Sequence, residues 1–275
     1  MGLAVVFPGQ GSQEPDMRDR VARIRPDLLD AVTAAVGEDP FPHVEKGTAW
    51  AQPAIFAASL AAWTEREAGA DAPSWAAGHS LGEVTALTVT GAIEEPDAVR
   101  LVVLRGRLMQ EAGAGGMLAL MGRGAAEQAP DLADAHELSV ANDNAPHQVV
   151  LSGAREHLPA AAAAAREAGL RAVELPVAGA FHSPLMEPAV APFRQALEGV
   201  AVRPPRIPVF SCVTSAPVDD DVRATLADGI RRPVRWRETV LALHAAGARR
   251  FEEVGPGRVL SGLVKRIVPR EAARA

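Results

Sequence analysis

Gly78-His79-Ser80-Leu81-Gly82 is the stretch on which the reading of this chain turns. It follows an apolar run, Trp75–Ala77, that reads as a short strand, and it opens a pattern over Gly82–Thr90 that reads as a helix. A serine between two glycines at a strand-to-helix turn is the arrangement of a nucleophile elbow, in which the serine is held in strained backbone with its hydroxyl exposed. The helix beginning there points its positive dipole end and free N–H groups at the serine, so the N–H of Leu81 is the chief candidate donor to an oxyanion. Ser80 also fits a plain helix N-cap. What separates the two readings is the rest of the chain.

Upstream of the elbow lie a strand at Leu3–Phe7, one helix over about Asp16–Val36 and another over Ala54–Glu67; downstream, a helix runs over Pro96–Glu111. Strand-then-helix order implies parallel pairing and an α/β sandwich. The run Ala112-Gly-Ala-Gly-Gly116 reads as a hinge. Beyond it the expected elements are a strand at Met117–Met121, a helix at Ala125–Asp134, strands at Leu138–Ala141 and Gln148–Leu151, an Ala-rich helix over Glu156–Ala168 and a strand at Arg171–Leu175. That β-α-β-β-α-β order is a ferredoxin-like unit. After Pro176 come a helix near Pro188–Glu198, a strand at Pro208–Cys212, helices at Val222–Arg231 and Arg237–Ala246, a strand at Arg250–Val254 and a closing helix to Ile267. Residues 116–176 are therefore read as a small subdomain inserted into a larger one made of 1–115 and 177–275, with the cleft where they meet.

Composition narrows the function classes. Of 275 residues 48% are hydrophobic, and 34 acidic side chains outnumber 28 basic ones. With a net charge of -6 and lysine only at positions 46 and 265, the chain lacks the basic surface that general nucleic-acid binding needs. A lone cysteine, Cys212, excludes an internal disulfide framework and a thiolate zinc site, so no metal is expected. The N-terminus lacks a positive signal-peptide region. The longest apolar run, Ala54–Trp63, is interrupted by Ser59 and falls short of the roughly 20 residues a bilayer requires. No membrane association is expected, and the location is read as cytoplasmic. The alanines of Ala160–Ala165 read as helical surface filler.

A serine nucleophile needs a base. Of seven histidines, His79 adjoins Ser80 on a tight turn where neighbouring side chains diverge, while His157 and His244 fall on helix surfaces. His182, in Gly179-Ala-Phe-His-Ser-Pro184, lies in a loop where the insert rejoins the larger part, a position that fits a base and a satisfied structural histidine equally. Asp143 falls between Ser80 and His182 in chain order, where an acidic third member would stand. Arg105 sits mid-helix among Leu101, Val102, Leu104 and Leu108. Glu83 is explained as a first-turn acid favoured by the helix dipole.

Seven segments occur together in one order: Phe7-Pro-Gly-Gln-Gly-Ser-Gln13, Gln52-Pro-Ala54, Gly78-His-Ser-Leu-Gly-Glu83, Arg105-Gly-Arg-Leu-Met-Gln110, Phe181-His-Ser-Pro184, Pro233-Val-Arg-Trp236 and Glu253-Val-Gly-Pro-Gly257. In that order and spacing the chain resembles the malonyl-CoA:acyl carrier protein transacylases from residue 3 to about 268. The resemblance implies an α/β-hydrolase-like fold with a ferredoxin-like insert. It implies Ser80 as nucleophile, His182 as general base and Arg105 as clamp for the malonyl carboxylate. Gln10 and Leu81 become backbone donors of an oxyanion hole, and Gln52 a pocket residue. Asn142 and Asn144 are weaker binding candidates. The family uses a main-chain carbonyl, not an acid, to orient the histidine, and that position aligns with Gly229 here, a departure from the glutamine of the bacterial fatty-acid pattern. Phe181 is a second departure, resembling malonyl-selective domains of modular polyketide synthases where the fatty-acid enzymes have serine.

The implied reaction is ping-pong transfer of malonyl from malonyl-CoA to the phosphopantetheine thiol of an acyl carrier protein, in fatty-acid or polyketide synthesis, with no cofactor. Arg123, Arg155, Arg171, Arg249, Arg250 and Lys265 are candidates for docking an acidic carrier. An editing thioester hydrolase on the same elbow is the main alternative, and Arg105 weighs against it. The transacylase subunit of malonate decarboxylase would use the same chemistry, and a non-catalytic carrier-binding scaffold would have no need of an intact Ser80, His182 and Arg105.

Overall fold

The computed structural model describes residues 2–177, 179–219 and 221–268. Its strands are β1 (Gly2–Phe7), β2 (Trp75–Gly78), β3 (Gly116–Met121), β4 (Ser139–Ala145), β5 (Gln148–Gly153), β6 (Arg171–Glu174), β7 (Val209–Phe210) and β8 (Ala248–Glu253). They form two four-stranded sheets, a mixed α/β architecture. A parallel sheet runs β7-β2-β1-β8, and an antiparallel sheet runs β4-β5-β3-β6. The first sheet draws β1 and β2 from the start of the chain and β7 and β8 from its end. Its central strand is buried from Leu3 to Phe7, which is why that segment reads as a continuous apolar run without alternation.

The register of the parallel sheet places the site. Phe7 pairs with Gly78 at the ends of β1 and β2, and the next residues along β2 form the turn into the Leu81–Val89 helix. A second helix, Thr48–Glu67, is buried at every position from Ala51 to Ala62, so its face shows no amphipathic stripe. Among the described residues no helix is long and apolar enough to cross a membrane. The segment before the Trp236–Ala245 helix meets the antiparallel sheet where Val234 lies parallel beside β4: the N–H of Asp143 donates to Val234 O at 2.9 Å, and the N–H of Val234 donates to Ala141 O at 2.8 Å.

Three local expectations change. The helix expected over Asp16–Val36 is two, Met17–Ile24 and Pro26–Val36, because Arg25 precedes a proline and leaves the helical region, at φ -138° and ψ 65°. The strand expected at Leu138–Ala141 continues to Ala145 through Asn142-Asp143-Asn144, residues of low strand propensity held there by tertiary contacts. Ala161, Ala162 and Ala165 are core, not surface filler: their small side chains let the Leu158–Glu167 helix lie close on the antiparallel sheet, against Leu118, Leu120 and Leu151.

Candidate active site

The elbow is sterically obligatory. A Cβ at Gly78 would come within 1.8 Å of Gly82 C, and one at Gly82 within 2.1 Å of Phe7 O. No relaxation of the turn accommodates either. Ser80 between them has φ 52° and ψ -108°, strained backbone for a residue with a side chain, and lines a cavity of about 800 Å³. The N–H groups of Gly82 and Glu83 donate to the carbonyls of His79 and Ser80. Among the described residues the N–H of Leu81 meets no protein acceptor, nor does that of Gln10, and both residues line the cavity.

His182 lies across the cavity from the elbow in a loop, buried, with φ 59°. Its Nε2 is 2.9 Å from Ser80 Oγ. Its Nδ1 is 2.9 Å from Gly229 O and 3.1 Å from Arg232 O. Carbonyls can only accept, so Nδ1 carries the proton and Nε2 of the neutral ring presents its lone pair to the serine hydroxyl. Burial, with the nearby Arg105 and His79 charges, holds the imidazolium form down to a pKa of about 3. At neutral pH His182 is therefore an uncharged base, already in the tautomer that can take the Ser80 proton.

Arg105, on the Glu95–Glu111 helix, is 4% exposed. Its Nη1 donates to Gln52 Oε1 at 2.7 Å and its Nη2 to Ser80 Oγ at 3.1 Å. Gln52 is aimed in turn by its own helix: its Nε2 donates to Thr48 Oγ1, one turn earlier, at 2.8 Å. Desolvation lowers Arg105 to about 10, which leaves it charged at neutral pH. Both hydrogen-bond partners are neutral, and among the described residues no carboxylate forms an ion pair with it. Glu83 is the acid whose charge bears on it, and burial pushes that carboxyl's pKa up, toward the neutral form. A buried cation so placed is short of an anion.

The remaining candidates divide. Asn142 and Asn144 both line the cavity because residues two apart on β4 share a face. Asn144 Oδ1 accepts from His79 Nε2 at 2.8 Å, so His79 braces the cavity wall and does not reach Ser80 as base. Asp143, on the opposite face, is held by Arg237 at 2.7 Å and makes no contact with His182. Phe181 lines the cavity beside the base, and Gly229 lies behind the histidine, outside the lining. Glu83 stands in the first turn of its helix and is buried there: its Oε2 accepts the N–H of Cys212 at 2.9 Å, which ties the elbow helix to the end of β7. Sequence reasoning missed that role, and also Thr48, although its i to i+4 spacing to Gln52 was a usable signal. No group of three or more potential metal ligands occurs among the described residues.

A family model described as the acyl transferase domain matches residues 4–273. The malonyl CoA-acyl carrier protein transacylase of Salmonella typhimurium (strain LT2) is 38% identical over 296 residues, 99% of this chain and 95% of its own length. The chain belongs to the malonyl-CoA:acyl carrier protein transacylase family. This transacylase-family chain is also 38% identical to the polyketide biosynthesis protein ThaF of Burkholderia thailandensis over 98% of its length, which is 24% of that longer protein. A solved complex, described as a type II polyketide synthase acyl carrier protein with its malonyl-transacylase, superposes with a TM-score of 0.89 at 37% identity, covering 98% of this chain and 94% of that one.

Proposed function

We propose that the enzyme moves a malonyl group from CoA, through an ester on Ser80, to the phosphopantetheine thiol of an acyl carrier protein. The observation that carries this is Arg105: a buried guanidinium with neutral partners, 3.1 Å from the hydroxyl that would bear the acyl group. A diacid esterified through one end to Ser80 can return its free carboxylate to that guanidinium, whereas a monoacid leaves it unpaired.

In the first half-reaction His182 Nε2 takes the Ser80 proton as Oγ attacks the thioester carbon. The N–H groups of Leu81 and Gln10 receive the developing oxyanion, the CoA sulfur departs, and the proton on His182 returns to it. The second half-reaction reverses these steps: the carrier thiol gives its proton to His182 and attacks the ester, and Ser80 recovers a proton as it leaves. Gln52 holds Arg105 in line, and Asn142 and Phe181 bound the acyl group.

The same reading describes the parallel-sheet part, 1–115 and 177–275, as an α/β-hydrolase-like subdomain and 116–176 as a ferredoxin-like insert; the strand order β4-β5-β3-β6 supports the second. A cytoplasmic setting agrees with a single, unpaired, buried cysteine. For carrier docking the exposed cations narrow. Arg155 and Arg250 are engaged by Glu174 and Asp71, whereas Arg123, Arg171, Arg249 and Lys265 form no ion pair among the described residues.

Intact-protein mass spectrometry tests the reading. Malonyl-CoA is expected to add one malonyl group to the protein and none to Ser80→Ala; label retained in that variant, on Ser12 or Ser183, would overturn it. Arg105→Ala is expected to lose about 2–5 kcal/mol for malonyl, the range for truncating one member of a buried charge pair, and much less for acetyl. Equal losses for the two acyl groups would make Arg105 structural.

A further inference from the structure

His182 is held by one short stretch, the turn Asp228–Arg232 that follows the Val222–Asp228 helix. Two of its groups meet three carbonyls of that turn: its N–H donates to Ile230 O at 3.3 Å, and its Nδ1 faces the carbonyls of both Gly229 and Arg232. An imidazole aimed by a carboxylate needs only that carboxylate in place. One aimed by main-chain carbonyls needs the whole turn to be rigid.

The turn is pinned by Asp228. Its main-chain carbonyl accepts the N–H groups of Arg231 and Arg232, at 3.0 and 2.9 Å. Its carboxylate, with the side chain 19% exposed, gathers three arginines: Arg194 at 3.4 Å, Arg231 at 3.3 Å and Arg232 at 3.1 Å. Arg231 also reaches Glu187 at 3.1 Å. Arg194 and Glu187 belong to the Glu187–Glu198 helix, which begins five residues after His182. One carboxylate thus locks the carbonyl-bearing turn to itself and to the helix that continues the histidine's own segment.

We propose that Asp228 is a positioning residue for the catalytic base, acting through the carbonyls of Gly229 and Arg232 without touching the reacting atoms. The inference rests on the reading of His182 as base. Single exposed ion pairs contribute little, but three converging on one half-buried carboxylate fix a geometry. Small misplacements of a catalytic group are costly in rate.

The test is Asp228→Ala in the full chain, with malonyl-CoA, measuring the single-turnover rate of Ser80 acylation, KM, thermal midpoint and the proton NMR resonance of the His182 Nδ1–H. The acylation rate is expected to fall roughly tenfold with KM unchanged, and the Nδ1–H resonance to move or broaden. Asp228→Glu is expected to recover part of the rate. An unchanged rate with an unchanged resonance overturns the proposal, as does a fall in which KM and thermal midpoint move and the resonance does not. If Asp228→Ala does not fold, Arg194→Gln combined with Arg232→Gln removes two of the three pairs, and the same outcomes decide. Failure of the wild-type chain to be acylated at Ser80 would instead strike the reading of the base itself.

Discussion

The serine and the histidine of the site both take a positive φ, 52° at Ser80 and 59° at His182, and the molecule holds them there by opposite means. Around Ser80 everything is local: a strand end, two glycines that tolerate no Cβ, and a helix start, within five residues. Around His182 almost everything is distant. Its holding carbonyls lie 47 and 50 residues downstream, and nearby the loop is braced by the Ser183 hydroxyl, which donates to Ala180 O at 2.7 Å. A local device concentrates its requirement in a few side chains, and a distributed one spreads it over several contacts. Breaking them should look different.

The largest effects belong to the local side. Ser80→Ala should remove acyl transfer by several orders of magnitude, as for nucleophiles that act as a unit with their base, without loss of fold. Gly82→Ala should lose transfer and fold together, because its Cβ would stand 2.1 Å from the carbonyl of Phe7, a central-strand residue with no room to move. Circular dichroism with thermal melting separates the two. A folded, merely slow Gly82→Ala would show that the elbow is softer than its contacts imply.

The distributed side should give smaller losses and no unfolding. His182→Gln is expected to slow acylation by about 10²–10⁴, the range for a general base. It should also change acid stability in a direction set by its pKa. The folded value, about 3, lies below the ordinary 6.5, so between those values the unfolded chain binds a proton that the native one refuses. Native stability therefore falls as pH drops from about 6.5 toward 3, by at most about 1.4 kcal/mol per pH unit for this group. Removing the imidazole should flatten that slope. On the elbow side Glu83 acts with the opposite sign: burial raises its pKa above the ordinary 4.5, so its contribution is present below 4.5 and is lost as pH rises through the folded value. Urea titrations of wild type, His182→Gln and Glu83→Gln across pH 4–8 would resolve the two. Parallel curves for all three would mean neither group titrates differently on folding.

The same contrast explains what could be read from sequence. The elbow was legible because its requirements sit inside one pentapeptide. Arg105 stands between Arg100 and Arg107 on one helix, and its role came from the family resemblance, whereas the parallel pairing followed from the order of strands and helices. His182 could not be chosen from its neighbourhood, which has no periodicity and no local partner; its assignment came from the company of seven motifs. The Asp228 cluster was only half legible: Arg231 and Arg232 stand at i+3 and i+4, but Arg194, and Glu187 through Arg231, join it only through folding. Polar Asn142-Asp143-Asn144 hid the second half of β4 because its burial is decided by the cavity and by Arg237, not by propensity. Buried Ala161, Ala162 and Ala165 were misread for a related reason: how closely a helix approaches a sheet is a property of the pair.

The smallest expected effect concerns acyl selectivity. Phe181 is buried, lines the cavity and immediately precedes the base, and the proposed reading sets its ring against the acyl α-carbon. An α-methyl group there overpacks by one methyl, which costs about 1–3 kcal/mol, or roughly tenfold to a hundredfold against methylmalonyl. Phe181→Ser should shrink that ratio while Ser80 is still acylated. Gly179→Ala sharpens the comparison with Gly82, since its Cβ would meet not main chain but the Phe181 ring, at 2.6 Å. A ring edge can turn aside where a central-strand carbonyl cannot. Gly179→Ala is therefore expected to keep its fold and shift the malonyl to methylmalonyl ratio by a few-fold, measured by competition between the two thioesters. If it unfolds as Gly82→Ala does, the loop around the base is as tightly determined as the elbow, and the division between local and distributed support fails at that point.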